Sequence, residues 1–196
     1  MTGRAPDDAW TARLRLRRWR SDDRTPFAAM NADPEVMRHI ATGPLDRAVS
    51  DAMLERIEDE WTRRGHGLWA LERRSGGMLL GFCGLAVPAL GIPARGPGPA
   101  VEIGWRLRRD AWGHGYATEA ARATLDVAWR IGLAEVVCLV HPGNERSLAV
   151  AERLGMRVTG TVKQRLRRGP TWEILVLRLR RPGEAASPPT GGPRLP

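Results

Sequence analysis

The sequence predicts a mixed α/β fold in a single domain over residues 1–181. Strand-like segments with apolar residues at every second position alternate with helix-like segments in which apolar residues recur about every four. Residues 135–140 are almost wholly apolar, as in a strand of a sheet that is covered on both faces. A chain of 196 residues, 42% of them hydrophobic, can bury a sizeable core. Residues 182–196 are rich in proline and glycine and are predicted to form a disordered tail.

The N-terminal part of the chain predicts one strand and one short helix. Residues 12–19 alternate leucine with arginine, so the apolar side chains share one face, as in a half-buried strand. A short helix is expected over residues 22–31. It should end before Pro34, because proline disfavours helical backbone in the residue that precedes it.

A longer helix and a β-hairpin are expected next. Asp46 can cap the helix and Gly65 can end it in a left-handed conformation. The predicted buried face of this helix consists of residues that recur every four positions: Val49, Met53, Ile57 and Trp61. Two strands follow, over residues 68–73 and 78–87, and a Ser-Gly-Gly turn joins them.

After a loop rich in proline and glycine over residues 88–100, strands and helices alternate again. The expected elements are a strand at 101–107, a helix at 116–131, a strand at 135–140, a helix at 144–154, and strands at 156–165 and 172–180. Gly132 and Gly155 follow the two helices and are expected to end them.

Composition excludes several functional classes. The net charge of +9 comes almost wholly from arginines that are spread along the chain, so a nucleic-acid partner is not expected. The four histidines show no metal-ligand spacing, and no metal is expected. Cys83 and Cys138 lie in apolar runs and are predicted to be buried free thiols. Without an apolar stretch of about 18 residues or a signal peptide, neither a membrane span nor export is predicted, and a cytoplasmic location is expected.

The most informative segment, residues 108–121, reads RRDAWGHGYATEAA and directly follows the strand at 101–107. Gly113 and Gly115 let a ligand approach the main chain, and the first turn of the next helix offers free N–H groups at its positive end. Such a turn suits an anion, most often a phosphate. The lack of Gly-Lys-Ser/Thr excludes a P-loop. Taken alone, the segment fits a purely structural turn equally well.

A second segment, residues 140–156, again runs from strand through loop to helix and reads VHPGNERSLAVAERLGM. By itself, Asn144 fits an ordinary helix cap. The two segments together, in this order and about thirty residues apart, resemble the GNAT superfamily of N-acetyltransferases. They are most similar to its branch of ribosomal-protein alanine acetyltransferases, also called the RimJ/RimL-type branch.

This resemblance implies a twisted, mostly antiparallel sheet of six or seven strands with one splayed parallel pair and about four helices. It also implies acetyl-CoA as co-substrate. Backbone amides of six consecutive residues would hold the pyrophosphate: Trp112, Gly113, His114, Gly115, Tyr116 and Ala117. Trp105 and Leu107 would lie along the pantetheine arm, with the Leu107 N–H polarising the thioester carbonyl. Asn144 would contact the pantetheine.

Acetyl transfer needs a deprotonated amine, since an alkylammonium has a pKa near 10. Glu102 is the candidate base, acting directly or through a water, and the alternative is a strand carboxylate that pairs with an arginine. Ser147 matches the family position near the sulfur and could donate a hydrogen bond to the departing thiolate. The amine attacks directly, so no covalent enzyme intermediate is expected.

The acceptor remains open between a protein N-terminus and a small-molecule amine. The basic excess argues against a polycationic acceptor, which would prefer an acidic pocket. Two alternatives to an enzyme also remain: a non-catalytic acyl-CoA sensor, and an RNA- or ribosome-associated binding protein. The sequence does not decide whether the chain forms a homodimer.

Overall fold

The computed structural model describes residues 3–95, 98–165, 169 and 171–183. Within these residues there are eight strands and five α-helices. The strands are β1 (Ala9–Trp10), β2 (Leu14–Arg17), β3 (Leu68–Arg73), β4 (Leu79–Ala86), β5 (Glu102–Leu107), β6 (Glu135–Val140), β7 (Arg157–Arg165) and β8 (Thr171–Arg180). The helices are α1 (Arg24–Ala32), α2 (Pro34–Met37), α3 (Arg47–Arg64), α4 (Tyr116–Arg130) and α5 (Glu145–Arg153).

All the strands belong to one sheet, in the order β1-β2-β3-β4-β5-β6-β8-β7. Every neighbouring pair is antiparallel except β5 and β6, which run parallel. The predicted mixed α/β class and the single parallel pair are therefore confirmed. The described part of the chain has one strand more than the six or seven expected, because the two-residue β1 adds an edge beside β2.

Helices cover both faces of the sheet. Neighbouring residues of a strand point to opposite faces, and β4 shows where each leads. The ring of Phe82 packs 6.2 Å from that of Phe27 on α1. The next residue, Cys83, places its Sγ 3.4 Å from Thr124 Oγ1 on α4. α1 and α4 therefore lie on opposite faces, as the apolar sequence of β6 indicated.

The ends of α3 are as predicted, but its buried face is so only in its second half, at Ile57 and Trp61. Asp46 Oδ1 accepts a hydrogen bond from Val49 N at 2.8 Å, and Gly65 ends the helix at φ 70°. Val49 is 46% exposed, however, and the buried residues are Ser50, Leu54, Ile57 and Trp61. A step of four residues turns about 40° beyond a full helical turn, so three such steps carry Val49 about 120° away from Trp61.

Two short elements escaped the sequence analysis. α2 begins at Pro34, and Asp33 Oδ1 caps it by accepting a hydrogen bond from Glu35 N at 2.8 Å. The proline that ends α1 thus also starts α2, where its fixed φ suits the first helical position. β1 is too short to show a period. The predicted disordered tail lies, from residue 184 onward, outside the described residues.

The core contains the two tryptophans that could instead have lined a pocket. Trp61 and Trp69 are fully buried, with ring centroids 5.0 Å apart in an edge-to-face arrangement. Cys83 and Cys138 are buried free thiols, as predicted. In the described part of the chain, no helix is long and apolar enough to cross a membrane.

A buried ion-pair network fixes the start of the sheet to α1. Arg17 is 4% exposed, and its guanidinium donates to both carboxylate oxygens of Asp23, at 2.6 and 2.8 Å. Its Nε donates to Glu72 Oε2 at 2.6 Å. Burial opposes the charge of Arg17, but the two carboxylates outweigh it and raise the pKa of Arg17.

Removing one carboxylate of this network should destabilise the protein strongly. We expect Asp23→Ala to lower the free energy of unfolding by about 3 kcal/mol, because it leaves the buried Arg17 charge only partly compensated. The neighbouring exposed Asp22→Ala should change it by less than about 0.5 kcal/mol. Urea denaturation of both variants measures the difference, and equal effects would contradict the role of Asp23.

Candidate active site

β5 and β6 separate after a single residue pair. Glu102 of β5 is in register with Val137 of β6, and no further pair joins these strands in the part that the structure describes. β6 instead pairs along its whole length with β8, and β5 pairs with β4. The edges that β5 and β6 turn toward each other are therefore unpaired beyond Glu102. A groove of about 1100 Å³ opens between them.

The backbone of β5 presents its hydrogen-bonding groups to its two neighbours in alternation. The carbonyl of Val101 accepts from Val137 N at 2.9 Å, on the β6 side, whereas Arg108 N donates at 2.9 Å toward the end of β4. The odd-numbered residues of β5 consequently turn their backbone groups toward β6. The N–H groups of Trp105 and Leu107 point into the gap, where no strand pairs with them.

The glycine turn stands at the mouth of this groove, and Trp112, Gly113, Gly115 and Ala117 line its wall. Gly113 has φ 80° and Gly115 has φ 78°, a conformation that favours glycine. A Cβ on Gly113 would meet nothing within 4 Å, so the space above the turn is open. Trp112 Nε1 donates to the Leu107 carbonyl at 2.9 Å, which fixes the turn to the end of β5.

His114 and Tyr116 lie beside the groove rather than in the part of its wall that Gly113 and Gly115 line. Their rings are 5.7 Å apart, and the Arg13 guanidinium lies 4.7 Å from the Tyr116 ring. Their side chains thus pack on one another and on Arg13. The role expected for these two residues concerned their backbone amides.

The start of β2 is tied to the glycine turn through Glu119, in the first turn of α4. Glu119 accepts hydrogen bonds from Thr11 Oγ1 at 2.5 Å, from Arg13 N at 2.9 Å and from Arg13 Nε at 2.7 Å. Arg13 Nη1 also donates to the His114 carbonyl at 2.9 Å. Burial alone would raise the pKa of Glu119, but these hydrogen bonds outweigh it and lower that pKa.

This cluster of Thr11, Arg13 and Glu119, here called the Glu119 brace, was missed by the sequence analysis. Arg13 and Glu119 are 106 residues apart in sequence, and neither segment contains a pattern that points to the other. Arg13 lies close to the turn, with Nη2 at 3.5 Å from where a Cβ of Gly115 would stand. The brace therefore supports the turn and places the guanidinium of Arg13, paired with Glu119, beside it.

Asn144 and Ser147 face the groove from the start of α5. Asn144 Oδ1 accepts a hydrogen bond from Ser147 N at 3.1 Å, so Asn144 does cap the helix. Among the described residues, no hydrogen bond engages Asn144 Nδ2 or Ser147 Oγ. These two groups can therefore donate to a ligand without disturbing the cap.

Glu102 lies in the groove where β5 and β6 begin to separate. Burial raises the pKa of Glu102 to about 7, although a hydrogen bond from the backbone of Leu139 partly opposes this shift. No arginine in the described segments lies within ion-pair distance of it. The structure therefore does not support the alternative that Glu102 is a strand carboxylate paired with an arginine.

Cys138 also lines the groove, and its thiol is held in the neutral form. Burial, followed by the charge of Glu102, raises the pKa of Cys138 well above its usual value. This agrees with the expectation that no cysteine nucleophile operates here. No cluster of three His, Cys, Asp or Glu residues that could hold a metal occurs among the residues described.

On the α1 and α2 side, the groove is lined by residues that the sequence analysis did not single out. His39 and His141 stack with ring centroids 5.2 Å apart, and His141 packs edge-on against Trp172 at 4.6 Å. Arg106 lies on the same face and donates from Nη1 to Asn31 Oδ1 at 2.7 Å. Side chains alternate between the two faces of a strand, so Arg106, four residues after Glu102, lies on the same face as Glu102. This spacing was the signal in the sequence that could have identified Arg106.

Comparison with known proteins gives one consistent family. The model of the acetyltransferase (GNAT) domain matches residues 13–157, from the start of β2 to the start of β7. An uncharacterized protein of Bacillus subtilis, YkkB, is 34% identical over 162 residues, which are 79% of this chain and 87% of the relative.

Solved structures agree with this match. An acetyltransferase from Agrobacterium tumefaciens superposes with a TM-score of 0.72 at 29% identity, over 90% of this chain and 96% of that one. The ribosomal-protein-S5-alanine acetyltransferase from Vibrio fischeri superposes with a TM-score of 0.68 at 17% identity, over 90% and 97%. At the lower identity, the likeness is one of fold.

The raised pKa of Glu102 has a consequence for stability. Its folded-state pKa of about 7 exceeds the ordinary value of 4.5, so folding loses stability as pH rises from 4.5 to 7. We expect Glu102→Gln to raise the free energy of unfolding at pH 8, by at most about 3 kcal/mol. At pH 4, where Glu102 is protonated in both states, the variant should match the parent.

The control is Glu152→Gln, which removes an exposed carboxylate from α5. Chemical denaturation at pH 4 and pH 8 measures the unfolding free energy of all three proteins. A Glu102→Gln variant that is no more stable than the parent at pH 8 would contradict the assigned cause, burial of the charged carboxylate.

Proposed function

The chain belongs to the GNAT family of acetyltransferases, and from this we propose that it transfers the acetyl group of acetyl-CoA to a primary amine. The observation that carries the proposal is the splayed pair of β5 and β6, with an open glycine turn at its mouth and Glu102 inside it. A cofactor with a long flexible arm and a phosphate-bearing end fits a groove of this form. The amine would enter from the side of α1 and α2.

The residues present fit acetyl-CoA. The first-turn N–H groups of α4 lack intrahelical acceptors and stand at the positive end of the helix, where a pyrophosphate is stabilised. We assign pyrophosphate binding to the backbone amides of Trp112, Gly113, His114, Gly115, Tyr116 and Ala117. Arg122, Arg146 and Arg153, which form no ion pair among the described residues, add positive charge to the groove wall. This agrees with a ligand that carries several phosphates.

The gap between β5 and β6 suits the pantetheine arm. The backbone groups of Trp105 and Leu107 that face the gap can pair with its amides as a neighbouring strand would. The Leu107 N–H is assigned to the thioester carbonyl, where a donor stabilises the negative charge that develops on oxygen. Asn144 Nδ2 is assigned to the pantetheine, because its Oδ1 is already engaged by the cap.

Glu102 is assigned as the general base. With a pKa of about 7, half of it is ionised at neutral pH, and it can accept a proton from the ammonium, directly or through a water. The amine nitrogen then forms a bond to the acetyl carbon, and the carbon–sulfur bond breaks. The thiolate leaves with a hydrogen bond from Ser147 Oγ and takes up the proton that the amine nitrogen loses as the amide forms, giving the amide and the free thiol of CoA.

Within the family, we propose that the chain belongs to the branch of ribosomal-protein alanine acetyltransferases. Its support is the combination of Trp-Gly-x-Gly-Tyr-Ala-Thr-Glu-Ala with Asn-x-x-Ser before a helix ending in Leu-Gly-Met. The acceptor itself is proposed only as a primary amine, on a protein N-terminus or a small molecule. Turnover would also separate an enzyme from an acyl-CoA sensor, which would bind acetyl-CoA without releasing thiol.

Cofactor binding is tested at the glycine turn. Saturating acetyl-CoA should stabilise the protein, by about 2.7 kcal/mol at 100 times Kd. Gly113→Ala should weaken acetyl-CoA binding at least about tenfold, because its Cβ would occupy the open space above the turn and strain the backbone at φ 80°. Thermal unfolding at a series of acetyl-CoA concentrations measures both effects.

Gly43→Ala is the matched control, since Gly43 has φ 65° and open space around it, away from the groove. It should carry a similar backbone cost and leave acetyl-CoA affinity unchanged. If millimolar acetyl-CoA stabilises neither the parent nor the control, the cofactor assignment is wrong.

The base is tested by turnover. Glu102→Gln should lower kcat by about 100-fold or more at pH 7, because the variant cannot accept the ammonium proton. In the parent, activity should fall as pH drops below about 7, with the protonation of Glu102, and Glu102→Gln should lose this dependence. Thiol release is followed from pH 5.5 to 9, with acetyl-CoA affinity as the control, which should not change. A variant with the parent's rate at neutral pH would remove Glu102 from the mechanism.

A further inference from the structure

Arg106 lies in the groove with its charge uncompensated. Its guanidinium packs 5.2 Å from the Phe82 ring, and Nη1 donates to Asn31 Oδ1 at 2.7 Å. Its Nε is buried and has no hydrogen-bond partner. Within the described ranges, no carboxylate lies within ion-pair distance of Arg106. The groove therefore contains a cation that is held in place but not neutralised.

The residues that hold Arg106 are themselves neutral and buried. Asn31 is fully buried, and its Nδ2 donates at 2.9 Å to the Oγ of Ser50, which is fully buried as well. This chain fixes the amide oxygen that faces Arg106. It orients the guanidinium without supplying a negative charge.

A comparison with Arg17 shows what is missing. Two carboxylates surround Arg17 and raise its pKa, whereas burial lowers the pKa of Arg106 to about 10. Arg106 remains protonated at neutral pH at this value, so the protein carries the cost of a desolvated charge. A residue that served only packing would not need a guanidinium at this position.

Other charges of the groove do not compensate Arg106. Glu35 pairs with Arg38 at 3.3 Å, at the exposed rim. Glu119 is engaged by Arg13 in the Glu119 brace, and Asp126, the other carboxylate that α4 adds to the groove, makes no ion pair with Arg106. Glu102 remains, but it is the group that must accept a proton from the substrate. A negative charge for Arg106 must therefore come from outside the described residues.

We propose that Arg106 binds an anionic group, a carboxylate or a phosphate, on the acceptor amine. This inference rests on the proposed function and specifies the substrate class: a small amine that also carries a negative charge. The Nη2 of the guanidinium has no hydrogen-bond partner among the described residues and is not among the buried atoms, so it can donate to an oxygen of such a group. Arg106 lies four residues beyond Glu102 on the same face, roughly 13 Å along the strand, so one molecule can reach both side chains.

The test uses matched acceptor pairs that differ only in charge. Thiol release is measured with saturating acetyl-CoA and ω-amino carboxylates of two to six carbons, each against its carboxamide. A second arm compares aminoalkyl phosphonates with the corresponding amino alcohols and decides between carboxylate and phosphate. For the best pair, the parent should favour the anion at least about tenfold in kcat/KM.

Two variants connect this preference to Arg106. Arg106→Gln should reduce it to near unity by removing the charge. Asn31→Asp should have the same effect while keeping the shape, because it places a carboxylate beside Nη1 where the amide oxygen now lies. Arg63→Gln is the control, since Arg63 is exposed at the end of α3, and it should keep the parent's preference. If Arg106→Gln does not fold, the anion site is tested by comparing the preference of Asn31→Asp for anionic acceptors with that of the parent.

The outcomes separate this inference from the proposed function. If acetyl-CoA stabilises the parent and uncharged amines are acetylated as well as anionic ones, the anion site is wrong and the proposed function stands. If acetyl-CoA stabilises the parent but no anionic amine is acetylated, the anion site is also wrong. If acetyl-CoA neither binds nor is consumed, both proposals fail. An anion preference that survives in both Arg106→Gln and Asn31→Asp would place the anion elsewhere.

Discussion

The single residue pair between β5 and β6 is the constraint on which the rest of the structure depends. Each of these strands is fully paired on its other side, β5 with β4 and β6 with β8, so neither can shift to close the gap. The sheet behaves as two antiparallel halves joined at Glu102 and Val137. Unpaired backbone groups are costly when they are buried, and a ligand that pairs with them removes that cost. The fold thereby favours a long, amide-containing occupant over a compact one.

The buried charge of Arg17 and the half-buried charges of Glu102 and Arg106 differ in whether the protein supplies their partners. Arg17 has two carboxylates and serves the fold. Glu102 and Arg106, on the same face of β5, have no opposite charge beside them in the described part of the chain. An unpaired charge that is partly removed from water lowers stability, so its presence at a groove points to a ligand or a proton as its partner. The two sites would act together, since an amine beside Glu102 and an anion beside Arg106 belong to one zwitterionic acceptor.

Much of the fold could be predicted because its signals are local. The ends of α3 follow from Asp46 and Gly65, and the bounds of β3 and β6 agree with the expected ranges. Residues of the two motifs singled out in the sequence line the same groove. The burial of α3 was mispredicted because a strict four-residue period does not track a helical turn, as the exposed Val49 shows. The Glu119 brace and the contact of Arg106 with Asn31 could not be predicted, because each joins segments far apart in sequence.

The Glu119 brace links residues near the start of the domain to the glycine turn and α4. The residues that support the glycine turn are made first, and their partner on α4 follows more than a hundred residues later. Contacts of such high sequence separation form late and carry a large loop-closure cost. A nascent chain that has not yet formed α4 consequently lacks an organised glycine turn. Under the proposed function, the molecules that bind acetyl-CoA are those in which both ends of the domain have already met, and acetyl-CoA affinity becomes a readout of completed folding.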